Sequence, residues 1–487
     1  MSESDTRSFY ITTTLPYVNA TPHIGFAMEI VRADTVARYK RQHGYDVFFN
    51  TGTDEHGVKI YEKAEEIGED PQEYVDRVAQ AFKDLLPALS ISSNVHFIRT
   101  TDTHHKVAAQ EFWRRCFENG DIYKGTYKVK YCIGCELEKT DSDLNESGRC
   151  SDHPNRELEV REEENYFFRF SAYADKLLKL YETNPDFVVP DYRLNEMRRL
   201  IKDGLTDFSI SRLREKMPWG IDVPNDSNHV MYVWFDALVN YISTLGWPDD
   251  EVSFNRYWKN GTPTQYAGKD NLRQQSAMWQ AMLMSAGLPP SAQIVINGFI
   301  TSDGRKMSKS LGNVVDPVKM IHEYGSDAVR FYLLHEVQPF DDSDITPERI
   351  KDTYNAYLAN GLGNLVSRIL KMKHTYKVVV NVPERSAILT DQYSEYQNGF
   401  EHFELNRSIE AVWNMVSDLD QYITDTEPFK TIKTDEVKAK QDVAYLSREL
   451  YRIAVLLEPL LPNTAQMIQT AIESNEVIDK PLFPRKK

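Results

Sequence analysis

The alternation of patterns between Phe9 and Gly57 constrains the fold most. Phe9 to Thr14 is a β-rich run, a helical pattern extends from near His23 to Gln42 with Gly44 in the stop position, and Tyr45 to Asn50 is apolar and strand-like. Strand, helix and strand at this spacing make a βαβ unit with both strands parallel in one sheet. In such open sheets ligands sit beyond the carboxyl ends of the strands. Leu15-Pro16-Tyr17-Val18-Asn19-Ala20-Thr21-Pro22 follows the first strand, and Thr51-Gly52-Thr53-Asp54-Glu55-His56-Gly57 follows the second. His23 and Asp54 are therefore expected on one rim.

Further strands are expected at Val230 to Phe235, Thr264 to Ala267 and Gln293 to Ile300, around a helix holding Met278 to Met284. Tyr127 to Val160 is turn-rich and cysteine-bearing, so Cys116 to about Met217 reads as material inserted between two halves of a nucleotide-binding fold. From Asp316 onward the pattern is helical. Tyr354, Leu358, Leu362, Leu365 and Ile369 make one apolar face; Ile409, Val412, Trp413, Val416 and Ile423 make another, and Tyr445 to Leu457 a third helical stretch. The expected class is α/β, with a Rossmann-like parallel-sheet domain in two halves (1–115 and 218–325). An inserted connective domain (116–217), a linker region (326–350) and a C-terminal all-α bundle (351–487) complete it.

The 73 acidic against 57 basic side chains give a formal charge of -16, which disfavours wholesale wrapping of nucleic acid but allows a local basic face. No apolar run is long enough for a membrane span, and Met1 to Ser8 is polar rather than signal-like, so a cytoplasmic protein is expected.

Lys306-Met307-Ser308-Lys309-Ser310, after a Ser302-Asp303-Gly304 turn, gathers donors suited to gripping polyphosphate. Displacement at a phosphorus builds charge on phosphoryl oxygens, which fixed donors stabilise. Pro22-His23-Ile24-Gly25 opens a helix whose unpaired N–H groups favour phosphate, and Gly25 permits close approach. A capping histidine and ordinary surface lysines are the alternatives. Asp54 is a candidate anchor for an ammonium group, or else a helix cap. Asp270, in Gly268-Lys269-Asp270-Asn271, follows a strand and could hold ribose or help orient an amino-acid end. Trp234 and Tyr241 flank Phe235-Asp236-Ala237-Leu238 and suit either an apolar pocket wall or the core.

Cys132-Ile133-Gly134-Cys135 and Cys150-Ser151-Asp152-His153 form two knuckles whose spacing suits one structural zinc held by Cys132, Cys135, Cys150 and His153. A redox Cys-x-x-Cys pair is the rival reading, although it has no need of the second knuckle. Cys116 stands outside the set and is expected to be buried. In the bundle, Asn364 and Arg368 lie one helical turn apart, off the apolar stripe, where they could meet an RNA base. Phe429 suits a stacking platform, and Lys371, Lys373 and Lys377 extend a basic edge; ordinary solvated surface or core is the alternative for each of these residues.

Together these segments resemble the methionyl-tRNA synthetases of class I, across almost the whole chain. The first class signature, His-Ile-Gly-His, stands as His23-Ile24-Gly25-Phe26, and the second is intact at Lys306 to Ser310. Leu15-Pro16-Tyr17, Gly52 to Gly57, Ile210-Ser211-Arg212, Tyr232 to Ala237 and Gly268-Lys269-Asp270 are also characteristic. The resemblance implies that methionine is activated by ATP to methionyl-adenylate and diphosphate, then passed to the terminal ribose of its tRNA. His23, Lys306 and Lys309 would meet the phosphates, with Gly25, Gly268 and Asp270 completing the ATP site and Mg²⁺ accompanying the nucleotide. Asp54 would bind the substrate ammonium. Leu15, Tyr17, Trp234, Leu238, Tyr241 and Gln275 would line the thioether pocket, and Arg212 would be a supporting positive group near the ATP-binding and acceptor-strand side. Region 326–350 would contact the tRNA stem, and Asn364, Arg368 and Phe429 would read the anticodon.

Phe26 replaces a signature histidine, Leu238 a frequent proline, Gln274-Gln275 a frequent Phe-His pair, and Phe429 a frequent tryptophan. The stretch from Cys116 to Met217 leaves little room for the proofreading domain of the leucine, isoleucine and valine enzymes. A cysteinyl enzyme would carry its zinc in the catalytic site. The chain ends in the short tail Pro484-Arg485-Lys486-Lys487, and a monomer is expected. Two other readings are a non-catalytic RNA-binding module and a nucleotidyltransferase that uses no tRNA. Lys306 to Ser310 with Asp54 argue against the first, Asn364 and Arg368 against the second.

Overall fold

The structure, a computed structural model, describes residues 7–132, 137–139, 144–145, 147–150, 155, 157–302, 304–307, 313, 315–391 and 393–487. A six-stranded sheet, parallel throughout, runs in the order His96–Arg99, Asp46–Thr53, Ser8–Thr12, Pro263–Gly268, Gln293–Asn297, Val188–Val189. The βαβ unit read from the sequence is its centre, with Tyr10 opposite Phe48 and Ile11 opposite Phe49. From Ser8–Thr12 the chain first builds outward to His96–Arg99, then returns to add Pro263–Gly268 on the other flank. That reversal is a topological switch point, which opens a crevice at the carboxyl ends of the two central strands.

Helix Ile24–Gln42 lies between this sheet and the C-terminal helices. Residues 26–37 are buried without interruption, which explains why its sequence lacks a polar stripe. The charges it buries are all partnered, as burial demands. Arg32 donates to Asn297 Oδ1 at 2.8 Å and to the carbonyls of Val337, Gln338 and Pro339. Asp34 accepts from Arg38 and from Arg330, each at 2.8 Å, and from Ser92. Arg330 also donates to the carbonyls of Pro459 and Leu460, so one guanidinium ties the sheet's central helix to the bundle. Tyr39 stacks on Phe400 across the same junction, at 3.9 Å between ring centroids.

The apolar faces expected in the bundle are buried, from Tyr354, Leu358 and Leu362 through Leu365 and Ile369, and from Ile409 through Ile423. Among the described residues no helix is long and apolar enough to cross a membrane.

Several expectations need correction. Val230 to Phe235 is not a strand of the main sheet. Asp226–Met231 pairs antiparallel with Ser211–Leu213, and Val233–Asp236 turns into helix; a short apolar run is buried either way, so its pattern does not reveal its partner. Gln293 to Ile300 divides at Gly298, where a Cβ would lie 2.1 Å from the Asp341 carbonyl oxygen. Beyond it, Ile300–Ser302 joins Arg305–Lys306 and Ser343–Asp344 in a separate sheet. The segment 116–217 forms its own antiparallel sheet around Ile122–Cys132 and Glu159–Phe168, yet returns Val188–Val189 to the edge of the central one.

The zinc-bearing part of the expected fold is also corrected. Among the described residues, no three His, Cys, Asp or Glu side chains are grouped to hold a metal. Cys132 and Cys150 are buried at the end of one strand and in a bridge with Leu144, and Cys135 and His153 lie outside the described residues. A tetrahedral site needs three or four converging ligands, and the donors described do not meet that requirement. The zinc and the metal-binding role are withdrawn. Cys116 is buried as expected, its thiol 3.7 Å from the Met282 carbonyl oxygen.

Candidate active site

The crevice collects segments from both ends of the fold. Ile24, next to His23, donates its N–H to the Val315 carbonyl at 3.2 Å, which draws the chain beyond Lys306 to Ser310 against the helix opening. Lys306 ends the short strand Arg305–Lys306; Lys309 lies outside the described residues.

His23 caps helix Ile24–Gln42 from an extended conformation, φ -120° and ψ 172°, and its Nδ1 accepts the Gly25 N–H at 3.0 Å. Burial lowers its pKa below the ordinary histidine value. In the neutral ring Nδ1 is the acceptor, so Nε2 carries the proton and is left to donate. Gly25 makes this geometry possible. A Cβ there would lie 2.8 Å from His23 Cε1, and its first role is to admit the histidine ring. Gly25→Ala is expected to swing His23 from its cap, with melting temperature reporting that the fold is kept. Phe26 faces away from this chemistry, buried edge-on against Phe82 at 5.1 Å. Its place in the core explains why a hydrophobic residue serves there.

Asp54 stands at the end of Asp46–Thr53, bridged to Tyr17. Its N–H donates to the Pro16 carbonyl at 3.0 Å, and its carbonyl accepts from Val18 at 3.1 Å. Leu15 and Tyr17, both half-buried, are thereby held beside it. Asp54 Oδ1 is buried and has no hydrogen-bond partner, and the same is true of Asp236 Oδ1. Burial, followed by the charge of Asp236, raises the Asp54 pKa well above the usual carboxylate value; burial likewise raises Asp236. Asp236 Oδ2 lies 2.9 Å from His56 Nδ1, and burial pushes His56 down to about 3. Both shifts favour the uncharged forms, so this contact is a hydrogen bond rather than an ion pair.

Tyr17 passes beside Gly57, where a Cβ would come within 2.5 Å of its hydroxyl and 3.1 Å of Val233. Trp234 is exposed, while Leu238 and Tyr241 are buried behind it. The Tyr241 carbonyl accepts from Tyr10 on the central strand at 2.8 Å, and Gln275 Nε2 donates to the Tyr241 hydroxyl at 2.7 Å. Arg212 sits 4.1 Å over the Tyr232 ring and donates to Ser209 and Ser211, bracing the approach to Trp234.

Gly268 ends the other central strand, and a Cβ there would lie 2.8 Å from Asp270 Oδ1. Asp270 is exposed at the rim. Glu29, not singled out in the sequence, accepts from the Thr14 N–H and hydroxyl at 2.7 and 2.6 Å. Burial pushes its pKa up to about 7. Asp236, His56 and Glu29 are what sequence reasoning missed. The available signal was polar residues inside otherwise apolar segments, as in Trp234-Phe235-Asp236.

In the bundle, Asn364 is exposed and Arg368 half-buried, paired with Asp420 on helix Leu405–Thr426. Phe429 is exposed beyond the end of that helix. Lys371 and Lys377 are exposed, but Lys373 is not part of a basic edge: it is buried with its Nζ 2.7 Å from Asn475 Oδ1.

Residues 9–370 match the family "tRNA synthetases class I (M)", and residues 383–481 match "Anticodon binding domain of methionyl tRNA ligase". The methionine–tRNA ligase of Thermotoga maritima is 40% identical over 481 residues, covering 96% of this chain and 76% of that protein. That of a Nostoc species is 40% identical over 490 residues, covering 97% and 92%. Among solved structures, Mycobacterium tuberculosis methionyl-tRNA synthetase bound by methionyl-adenylate superposes with a TM-score of 0.85 at 36% identity, covering 99% of each chain. Its apo form gives 0.80 at 32% identity. The chain belongs to the methionyl-tRNA synthetases of class I.

Proposed function

We propose that the crevice at the switch point is the methionine-activating site of this methionine–tRNA ligase, with the residues above in distinct roles. The enzyme joins L-methionine to its tRNA in two steps. A carboxylate oxygen of methionine attacks the α-phosphorus of ATP and diphosphate leaves; the methionyl group of the adenylate then passes to the 3′-terminal ribose.

In this reading Asp54 holds the substrate ammonium, and the observation that carries it is the unpartnered, buried Asp54 Oδ1. An ammonium placed there supplies the missing donor and charge. Leu15, Tyr17, Trp234, Leu238, Tyr241 and Gln275 surround the side chain, and Arg212 braces that wall. His23 donates from Nε2 to phosphate oxygens as charge grows on them, helped by the helix opening. Lys306 and Lys309 add positive charge from the other side. Gly25, Gly268 and Asp270 complete the nucleotide site. The strands from 8–99 and 263–297 completing one sheet support a catalytic domain in two halves, 1–115 and 218–325, with 116–217 inserted. Region 326–350 then links it to the bundle, 351–487.

The bundle takes the anticodon, with Asn364 and Arg368 offering polar edges and Phe429 a stacking face. Arg368→Ala is expected to weaken tRNA charging roughly tenfold or more through KM for tRNA, leaving methionine-dependent pyrophosphate exchange unchanged. Equal loss in both assays would contradict the assignment. A cytoplasmic monomer fits the family's part in translation, and sedimentation at twice the 56.4 kDa chain mass would contradict the monomer.

A further inference from the structure

At the end of helix Ile24–Gln42 remote from His23, an open pocket of about 450 Å³ lies between the central sheet and the bundle. Arg38, Arg41 and Gln42 line one side, together with Ser92 from the loop before strand His96–Arg99; Arg385 and Glu458 of the bundle line the other. An α-helix rises about 1.5 Å per residue, which puts the pocket roughly 25 Å from His23 and outside the crevice.

Three arginines converge here in a chain whose formal charge is -16. Two are engaged. Arg38 donates from Nε to Asp34 Oδ2 at 2.8 Å and from Nη2 to the Ser90 carbonyl at 2.7 Å, and Arg385 forks onto both Glu458 oxygens. Arg41 is held only by a bond from Nη1 to Ser92 Oγ at 3.2 Å; its Nη2 is buried and has no hydrogen-bond partner among the described residues. The carboxylates that act on it are taken, Asp34 by Arg38 and Arg330, Asp46 by Arg256. Burial lowers the Arg41 pKa, as befits a cation short of solvation. Gln42 leaves a second group unmatched. Its Nε2 donates to the Val455 carbonyl at 2.9 Å and to Glu458 at 3.2 Å, which fixes the amide's orientation, while its Oε1 is buried without a donor.

We propose that this pocket binds a small phosphate ester that carries hydroxyl groups, of the sugar-phosphate class. A buried cation without an anion and a buried acceptor without a donor are both costly, and such a ligand supplies both complements. Its phosphate takes Arg41 Nη2 and the Nη1 of Arg38, which the bonds to Asp34 and Ser90 do not use; a hydroxyl donates to Gln42 Oε1. The single long bond to Ser92 lets the Arg41 head rotate about its last torsions to meet the ligand. Forked guanidinium N–H groups match phosphate oxygens in geometry and charge. Pockets of about 300–1,000 Å³ hold small organic ligands, so a pentose phosphate has room. An RNA backbone instead follows a continuous basic groove, whereas Glu458 neutralises Arg385 on the bundle side. The ligand would bridge the same junction that Arg330 ties.

The test is calorimetric titration of the whole protein with ribose 5-phosphate, the crevice being filled by a non-hydrolysable methionyl-adenylate analogue. One site per chain is expected, with affinity roughly three- to tenfold tighter than for inorganic phosphate, the increment of a hydrogen bond to Gln42. Arg41→Gln is expected to weaken binding by roughly tenfold or more. Arg385→Gln, an exposed change that keeps the test available should Arg41→Gln fold poorly, weakens it too by leaving the Glu458 charge uncompensated. Methionine-dependent pyrophosphate exchange is unchanged in both variants, which shows that they are folded. No binding at millimolar ribose 5-phosphate, or equal affinity in the parent and both variants, overturns the site. Equal affinity for inorganic phosphate overturns the hydroxylated ester as its ligand. A parent that binds neither probe, with KM for tRNA raised by Arg41→Gln, reveals an RNA contact and overturns the proposal as well.

Discussion

Asp54→Asn is expected to reduce kcat/KM for methionine in pyrophosphate exchange by roughly two to three orders of magnitude, the equivalent of breaking a buried charge pair at about 3–5 kcal/mol. The amide keeps the shape of the carboxylate but turns one oxygen into a donor that repels the ammonium. The same buried carboxylate predicts a pH effect. Burial and Asp236 raise the Asp54 pKa, so protonation of the empty site begins at a higher pH than for an exposed aspartate. KM for methionine should rise as pH falls through that raised value. Stability moves the other way. The folded state binds this proton more tightly than the unfolded chain does, so the free protein gains stability as pH falls from the folded towards the unfolded pKa. Above that window an ionised Asp54 is a burden, and Asp54→Asn should melt higher than the parent there. Loss of activity together with a raised melting temperature separates a binding role from a structural one. A variant that melts lower and loses activity in proportion would contradict it.

His23→Ala is expected to lower kcat by roughly a hundred- to a thousandfold, the usual consequence of removing one donor aimed at developing charge. KM for methionine should change little, because His23 sits at the helix opening and Asp54 at the neighbouring strand end. Partial desolvation favours the neutral His23 ring, in which Nε2 is the donor. Its contribution should accordingly persist above the ordinary histidine pKa rather than vanish there. A pH–rate profile in which kcat collapses on deprotonation near that value would show instead that an imidazolium is required. Stopped-flow or quench measurement of adenylate formation isolates the step concerned.

Much of this was legible in the sequence because the underlying signals are local. A β-rich run, a Pro22-led helix and a second strand at βαβ spacing suffice to place His23 and Asp54 on one rim. The bundle's apolar faces were legible for the same reason, since 3.6-residue periodicity survives whatever the helices pack against. What was lost depends on partners far along the chain. Val230 to Phe235 has the composition of a buried strand, and only its pairing with Ser211–Leu213 shows that it serves another sheet. Phe26 reads as a missing phosphate ligand until its ring is found against Phe82. Lys373 reads as surface until Asn475 is found beside it. The knuckle spacing suggested zinc, but among the described residues no donors are grouped to hold a metal. Asp236 gains its meaning from groups that a linear pattern cannot bring into register.

ATP–pyrophosphate exchange with each of the twenty amino acids, on the purified protein, tests the central claim most directly. The account predicts exchange stimulated chiefly by methionine, which would establish activation and substrate in one assay. Exchange driven chiefly by another amino acid, or by none from folded protein, would contradict it.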